Sequence, residues 1–132
     1  MPYMLDTNIC IYLMRQTPPA VVQRFEQCRH GDICISAITL AELQGGANAY
    51  SADQSRIQDV ITRLLERVPA LPFDSDAAFH YGRLYQAVKE RRRDALDRLI
   101  AAHALASGCT LVTNNEANFK DYPGLKLENW AA

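Results

Sequence analysis

Short apolar runs alternate along the chain with longer stretches of helical spacing. The first run, PYML at 2–5, is followed at once by a polar triplet, Asp6-Thr7-Asn8. TNICIYLMRQ (7–16) then has helical spacing, with Thr7 or Asn8 able to cap its start. Pro18-Pro19 breaks the pattern, and PAVVQRFEQCR (19–29) predicts a second helix with proline in its first turn. His30-Gly31-Asp32 reads as a turn and ICIS (33–36) as a buried strand. AITLAELQGGA (37–47) follows, apolar at Ile38, Leu40 and Leu43, with Gly45-Gly46 loosening its end. SRIQDVITRLLERV (55–68) repeats apolar residues at helical spacing, and PALPF (69–73) predicts a short strand between prolines.

The second half repeats the alternation. DSDAAFHYGRLYQAVKERRR (74–93) predicts a helix capped by Asp74 or Ser75. DALDRLIAAHALASG (94–108) predicts another, stopped by Gly108 as its C′ residue. CTLVTNN (109–115) reads as a strand with a polar end, and LKLENW (125–130) as a last edge strand. Strands alternating with helices predict an α/β fold with a mostly parallel central sheet, and residues 1–132 read as one domain.

Composition narrows this picture. The chain has 132 residues, 48% hydrophobic and 22% charged, an ordinary globular balance. The formal net charge of -1 excludes a general polycation, so nucleic-acid contact requires a local basic patch. The one dense positive cluster is KERRRD (89–94). Arg91, Arg92 and Arg93 there suit RNA phosphates, and equally suit a solvated helix end placed against the helix dipole. Cys10, Cys28, Cys34 and Cys109 form no C-x-x-C pair and no zinc-finger spacing, so buried free thiols in a reducing cytosol are expected. No basic-then-apolar leader and no apolar run of about 20 residues is present, which predicts a cytoplasmic protein without membrane contact.

In an open α/β sheet, sites form at the carboxyl ends of the strands. Asp6 follows PYML; Glu42 lies early in the helix after ICIS; Asn114 and Asn115 follow TLVT; Asp97 lies near the start of the helix before that strand. Three carboxylates and an amide converging at one sheet edge repel each other at neutral pH unless a divalent cation joins them. All-oxygen donors select Mg2+, or Mn2+ as its substitute, over Zn2+. Such an ion activates water and stabilises a phosphoryl group in flight, which points to phosphodiester hydrolysis. Each residue also has a plainer role. Asp6 is a good helix cap, Glu42 a solvated helix residue, Asp94 and Asp97 a capping box, and Asn114-Asn115 a turn. His103 sits off the face of Asp97 by roughly 120–130° at helical spacing and reads as a core histidine. Tyr122 and Trp130 read as core or edge anchors.

MLDTNICIYLM (4–14), CISAITLAEL (34–43), LPFDSDAAFHYGRL (71–84), LDRLIAAHALASGCTLVTNN (96–115) and YPGLKLENW (122–130) together resemble the PIN-domain ribonucleases, specifically the VapC-type toxins of bacterial toxin–antitoxin pairs. The resemblance implies a three-layer PIN-like sandwich. It places Asp6, Glu42 and Asp97 on the family's metal-ligating acids and Asn115 on its fourth polar catalytic position. Thr7 and Asn8 match the polar pair after the first acid; Thr113 and Asn114 match the polar residues beside the fourth position, both sets being candidates for substrate contact. KERRRDALD (89–97) departs from the family's glycine-rich loop before the third acid. The implied activity is Mg2+-dependent cleavage of RNA, a structured RNA such as tRNA. The implied partners are a VapB-type antitoxin across the active-site groove and a second copy of the chain in a homodimer. Two other classes compete: a PIN-like module that binds RNA or a partner without cutting, and a phosphoryl-transfer module built on Asp6. The latter wants a second acid where Asn8 stands and a lysine nearer the strand end than Lys120.

Overall fold

A computed structural model describes residues 2–49, 54–88 and 95–131. Its elements run β1 (Tyr3–Leu5), α1 (Thr7–Arg15), α2 (Pro19–Gln27), β2 (Ile33–Ser36), α3 (Ala37–Ala49), α4 (Gln54–Arg67), β3 (Ala70–Leu71), α5 (Ser75–Ala87), α6 (Ala95–Ser107), β4 (Thr110–Val112), α7 (Glu116–Phe119) and β5 (Leu127–Glu128). The strands form one sheet in the order β3-β2-β1-β4-β5. Every pairing is parallel, with Met4 opposite both Cys34 and Leu111. The sheet is thus wholly rather than mostly parallel.

Parallel strands buried on both faces read as unbroken apolar runs, which is why PYML and ICIS show no alternation. The pleat nevertheless divides them. Leu5, Ile33, Ile35 and Val112 face one cluster with Ile9, Val21, Leu43, Ile61 and Leu64. Met4, Cys34 and Leu111 face the other with Leu84, Ile100, Ala101, Ala104 and Phe119. Helices α1, α2 and α4 therefore cover one face and α5, α6 and α7 the other, the three-layer arrangement expected. All four cysteines are free, and three of them are buried. Among the described residues no helix is long and apolar enough to cross a membrane.

Several local expectations change. Asp6 caps α1, as its plainer role implied and in place of Thr7 or Asn8, its Oδ1 accepting from the Ile9 N–H at 2.9 Å. An Asp can be both cap and functional acid, since a carboxylate has two oxygens. Helix α3 continues through Gly45-Gly46 to Ala49, since Leu43 is buried and tertiary packing outweighs the glycine cost of about 1 kcal/mol each. The four-residue α7 is too short for periodicity to announce. Asp74 caps α5 through the Ala77 N–H, and Gly108, at φ +69, closes α6 in the left-handed conformation that favours glycine. The basic run 89–94, with Arg91, Arg92 and Arg93, lies outside the described residues, as does Asp94.

The chain's end is built into the core. Trp130 is 1% exposed, meets Tyr3 edge to face at 5.4 Å and donates from Nε1 to Glu128 Oε1 at 3.0 Å. Glu128 also takes Arg24, whose guanidinium lies over the indole ring. Trp130→Ala is expected to cost about 3–5 kcal/mol in urea denaturation, the usual range for emptying a buried aromatic site. A loss under about 1 kcal/mol would show that the terminal strand is only draped on the sheet.

Candidate functional site

The chain lays β1, β2 and β3 on one side and β4 and β5 on the other, so the strand order reverses at the β1–β4 pair. Connections depart in opposite directions there and leave a crevice at the carboxyl ends of the two strands. Asp6 and Thr113 are the first residues beyond those ends. The Asp6 N–H continues the ladder onto Val112 O at 3.0 Å, so the backbone that presents its carboxylate is held by the sheet itself.

Asp6 is 5% exposed. Burial pushes its carboxyl from the ordinary 3.8 up to about 6, and Asp97 and Glu42 add repulsion. Hydrogen bonds from the Thr113 hydroxyl and the Ile9 N–H pull the other way without winning. Asp6 therefore has both other acids, from separate segments, within electrostatic reach. Among the described residues, however, no three Asp, Glu, His or Cys side chains are gathered into a chelating group. The donor chemistry is what fits a cation here: oxygen ligands, a shared negative charge, and one carboxylate buried against its own preference.

Each acid has a fixed neighbour. Thr7 Oγ1, in the first turn of α1, donates to Glu42 Oε1 of α3 at 2.8 Å. Asp97 Oδ2, in the first turn of α6, meets Asn118 Nδ2 of α7 at a long 3.5 Å. Thr113 Oγ1, besides bonding Asp6, accepts the Asn115 N–H at 3.0 Å. Helix α6 is braced against β2 by His103 Nδ1 and Ser36 Oγ, 2.7 Å apart, with Phe73 edge-on to the imidazole. Burial lowers the His103 pKa, partly opposed by Asp74, so this histidine is a neutral core strut, as its helical offset from Asp97 implied.

The residues flanking the acids divide. Asn8 is exposed on α1. Asn115 is exposed and takes part through its backbone, its C=O accepting the Asn118 N–H at 3.1 Å. Asn114 turns inward, donating from Nδ2 to the Tyr12 hydroxyl at 2.6 Å. Two polar groups that the sequence reading did not single out thus join the site, Tyr12 and Asn118. Asn118 had a faint signal: it stands three residues after Asn115, the spacing that brings a helical side chain round to the same face. Tyr12 had none, since its apolar neighbours make it read as core.

The raised Asp6 carboxyl has a definite linkage sign. Its folded pKa of about 6 exceeds the ordinary 3.8, so between these values the folded chain holds a proton the unfolded chain has lost. Stability contributed by the protonated form is present below about pH 4 and is lost as pH rises through about 6. The loss is at most about 3 kcal/mol. Asp6→Asn keeps a capping oxygen and removes the charge. Without divalent cations it is expected to raise the melting temperature at pH 7.5 by several degrees and to flatten the wild-type decline between pH 4.5 and 7. A destabilised Asp6→Asn chain at pH 7.5 would contradict the burial argument.

Comparison with known proteins shows the family and the fold. The model of the PIN domain matches residues 3–125. Ribonuclease VapC2 of Rickettsia felis is 39% identical over 133 residues, covering 98% of each chain. The tRNA(fMet)-specific endonuclease VapC of Shigella flexneri is 36% identical over 131 residues, again covering 98% of each. The structure of VapBC-1 from nontypeable Haemophilus influenzae superposes with a TM-score of 0.88 at 34% identity, over 100% of both chains.

Proposed function

The chain belongs to the PIN-domain family, among the VapC ribonuclease toxins of VapBC toxin–antitoxin systems, and we propose that it cuts a structured RNA of the tRNA class with Mg2+ or Mn2+ held by Asp6, Glu42 and Asp97. The observation that carries this reading is Asp6, a carboxylate buried at the crevice of the sheet and driven up to about 6 with two further acids acting on it. A charge so placed weakens the fold when ionised, and a cation offsets that cost.

When bound, a divalent cation supplies a water of lowered pKa and offsets the charge of a phosphoryl group in flight. The protein's own part is placement. Asp6 is fixed by β1 behind it and the Ile9 N–H ahead of it. Thr7 holds one Glu42 oxygen and leaves the other available. Asn118 faces Asp97, and Thr113 orients Asp6 by donating to it. Asn115, exposed at the start of α7, and Asn8, exposed on α1, are the candidates for substrate contact that their exposure supports. The name of the Shigella relative supports tRNA as the substrate class. The VapBC structure supports a VapB-type antitoxin as partner; a homodimer rests on family resemblance.

The direct test incubates the purified chain with total tRNA and Mg2+ or Mn2+. Wild type is expected to cut, with at least a ~100-fold lower rate for Asp6→Asn and full inhibition by EDTA. Equal rates for the two proteins, or cleavage indifferent to EDTA, would overturn the assignment. Mn2+ calorimetry separates the non-cleaving alternative: uptake by wild type and not by Asp6→Asn supports the nuclease, and no uptake by either supports a binding module. Thr7→Val removes the hydroxyl that holds Glu42 at nearly constant volume. It is expected to lower kcat about 5- to 30-fold, since loss of one such bond costs about 1–2 kcal/mol.

A further inference from the structure

Tyr12 is half-buried in the middle of α1, and its ring packs against the core cluster of that face. Its hydroxyl is the acceptor for Asn114 Nδ2 at 2.6 Å. Asn114 stands between Thr113, which bonds Asp6, and Asn115, which precedes α7. The Asn114 side-chain Oδ1 is buried with no hydrogen-bond partner, so among the described residues Tyr12 is the polar group that holds this amide.

The segment beyond packs against α6 and β5 through the buried Phe119, and among the described residues its side-chain hydrogen bond to α1 runs through Asn114. Thr113 N–H reaches Glu128 O at 3.0 Å and marks the last hold of the sheet. From there Asn115 N–H turns back to Thr113 Oγ1, Asn118 N–H to Asn115 O, and Asn118 Nδ2 faces Asp97 Oδ2. This arm is thus held at its far end by Phe119 in the core and, where it leaves the sheet, by Asn114. We propose that Tyr12 is a positioning residue for the acidic site: its hydroxyl, through Asn114, fixes the strand-end arm that aims Thr113 at Asp6 and Asn118 at Asp97. The helix capped by Asp6 thereby also holds the segment that closes the site from the other side. This inference rests on the proposed nuclease only in its metal-binding and kinetic consequences; the structural coupling stands by itself.

Tyr12→Phe isolates the hydroxyl, because the ring and its packing remain. The experiment compares wild type, Tyr12→Phe, Asn114→Ala and the double variant, all as the full chain. In the metal-free protein, Tyr12→Phe is expected to speed amide exchange at Asn115–Phe119 about five- to tenfold, the loss of one net hydrogen bond, while β1 and α6 are unchanged. With Mn2+, each single variant is expected to bind at least about threefold more weakly, and the double variant no more weakly than the singles. In tRNA cleavage kcat is expected to fall about tenfold with KM held within about twofold, the mark of lost placement rather than lost substrate binding. Exchange within about twofold of wild type in Tyr12→Phe, or effects of the two substitutions that simply add, would overturn the proposal. If wild type itself neither binds Mn2+ nor cuts RNA, the nuclease reading fails, and the exchange comparison still decides the role of Tyr12.

Discussion

The structure is organised around a carboxylate that is buried where it is not comfortable. Asp6 follows the central strand directly, its N–H belongs to the sheet ladder, and one of its oxygens closes the first turn of α1. Its carboxylate cannot swing into solvent without giving up the cap. Burial and two neighbouring acids raise its proton affinity, and the hydrogen bonds from Thr113 and Ile9 only partly relieve it. A fold selected for stability alone has no use for this arrangement, since Asn caps a helix as well as Asp does. Stability given up at a site is a common accompaniment of activity.

Helix α1 is the element through which this strain is managed. Asp6 at its cap meets Thr113, Thr7 in its first turn holds Glu42, and Tyr12 further along holds Asn114. One face of the same helix is meanwhile pinned by Ile9 and Cys10 in the core. The site is therefore assembled on a rigid helix that reaches α3 on one side and the arm after β4 on the other. Helix α6 enters separately, braced by the His103–Ser36 contact, and Asp97 is tied in through Asn118. Side chains held this way have little freedom left to lose on binding any ligand, which is the advantage of placing a site on rigid elements.

Much of the fold was legible in the residues because the parallel sheet imposes a simple pattern. Apolar runs too short for helices, bounded by proline, glycine or polar turns, mark strands buried on both faces. Ile57, Val60, Ile61, Leu64 and Leu65 mark α4 by their spacing, and of these Ile61 and Leu64 are buried. The acids stood out because each lies just past a strand or in the first turns of a helix. What was not legible is short or long-range. The α1 cap went to Asp6 because the backbone at that residue is extended, a matter of φ and ψ that residue type does not settle among Asp6, Thr7 and Asn8. Helix α3 outran its glycines because Leu43 packs against another layer.

By itself the sequence determined the fold class, the order of the elements other than α7 and the set of candidate acids, since these follow from hydrophobic periodicity and residue chemistry along a local stretch of chain. Tertiary structure decided the strand order, and with it the reversal at β1 and β4 that turns separate polar residues into one crevice. It also decided which amide serves which acid. Asn114 and Asn115 look alike in sequence, yet one is turned onto Tyr12 and the other is exposed, while Asn118 reaches Asp97. Those partners come from elements far apart in the chain. They are chosen by where the packed layers bring the side chains, which local pattern does not encode.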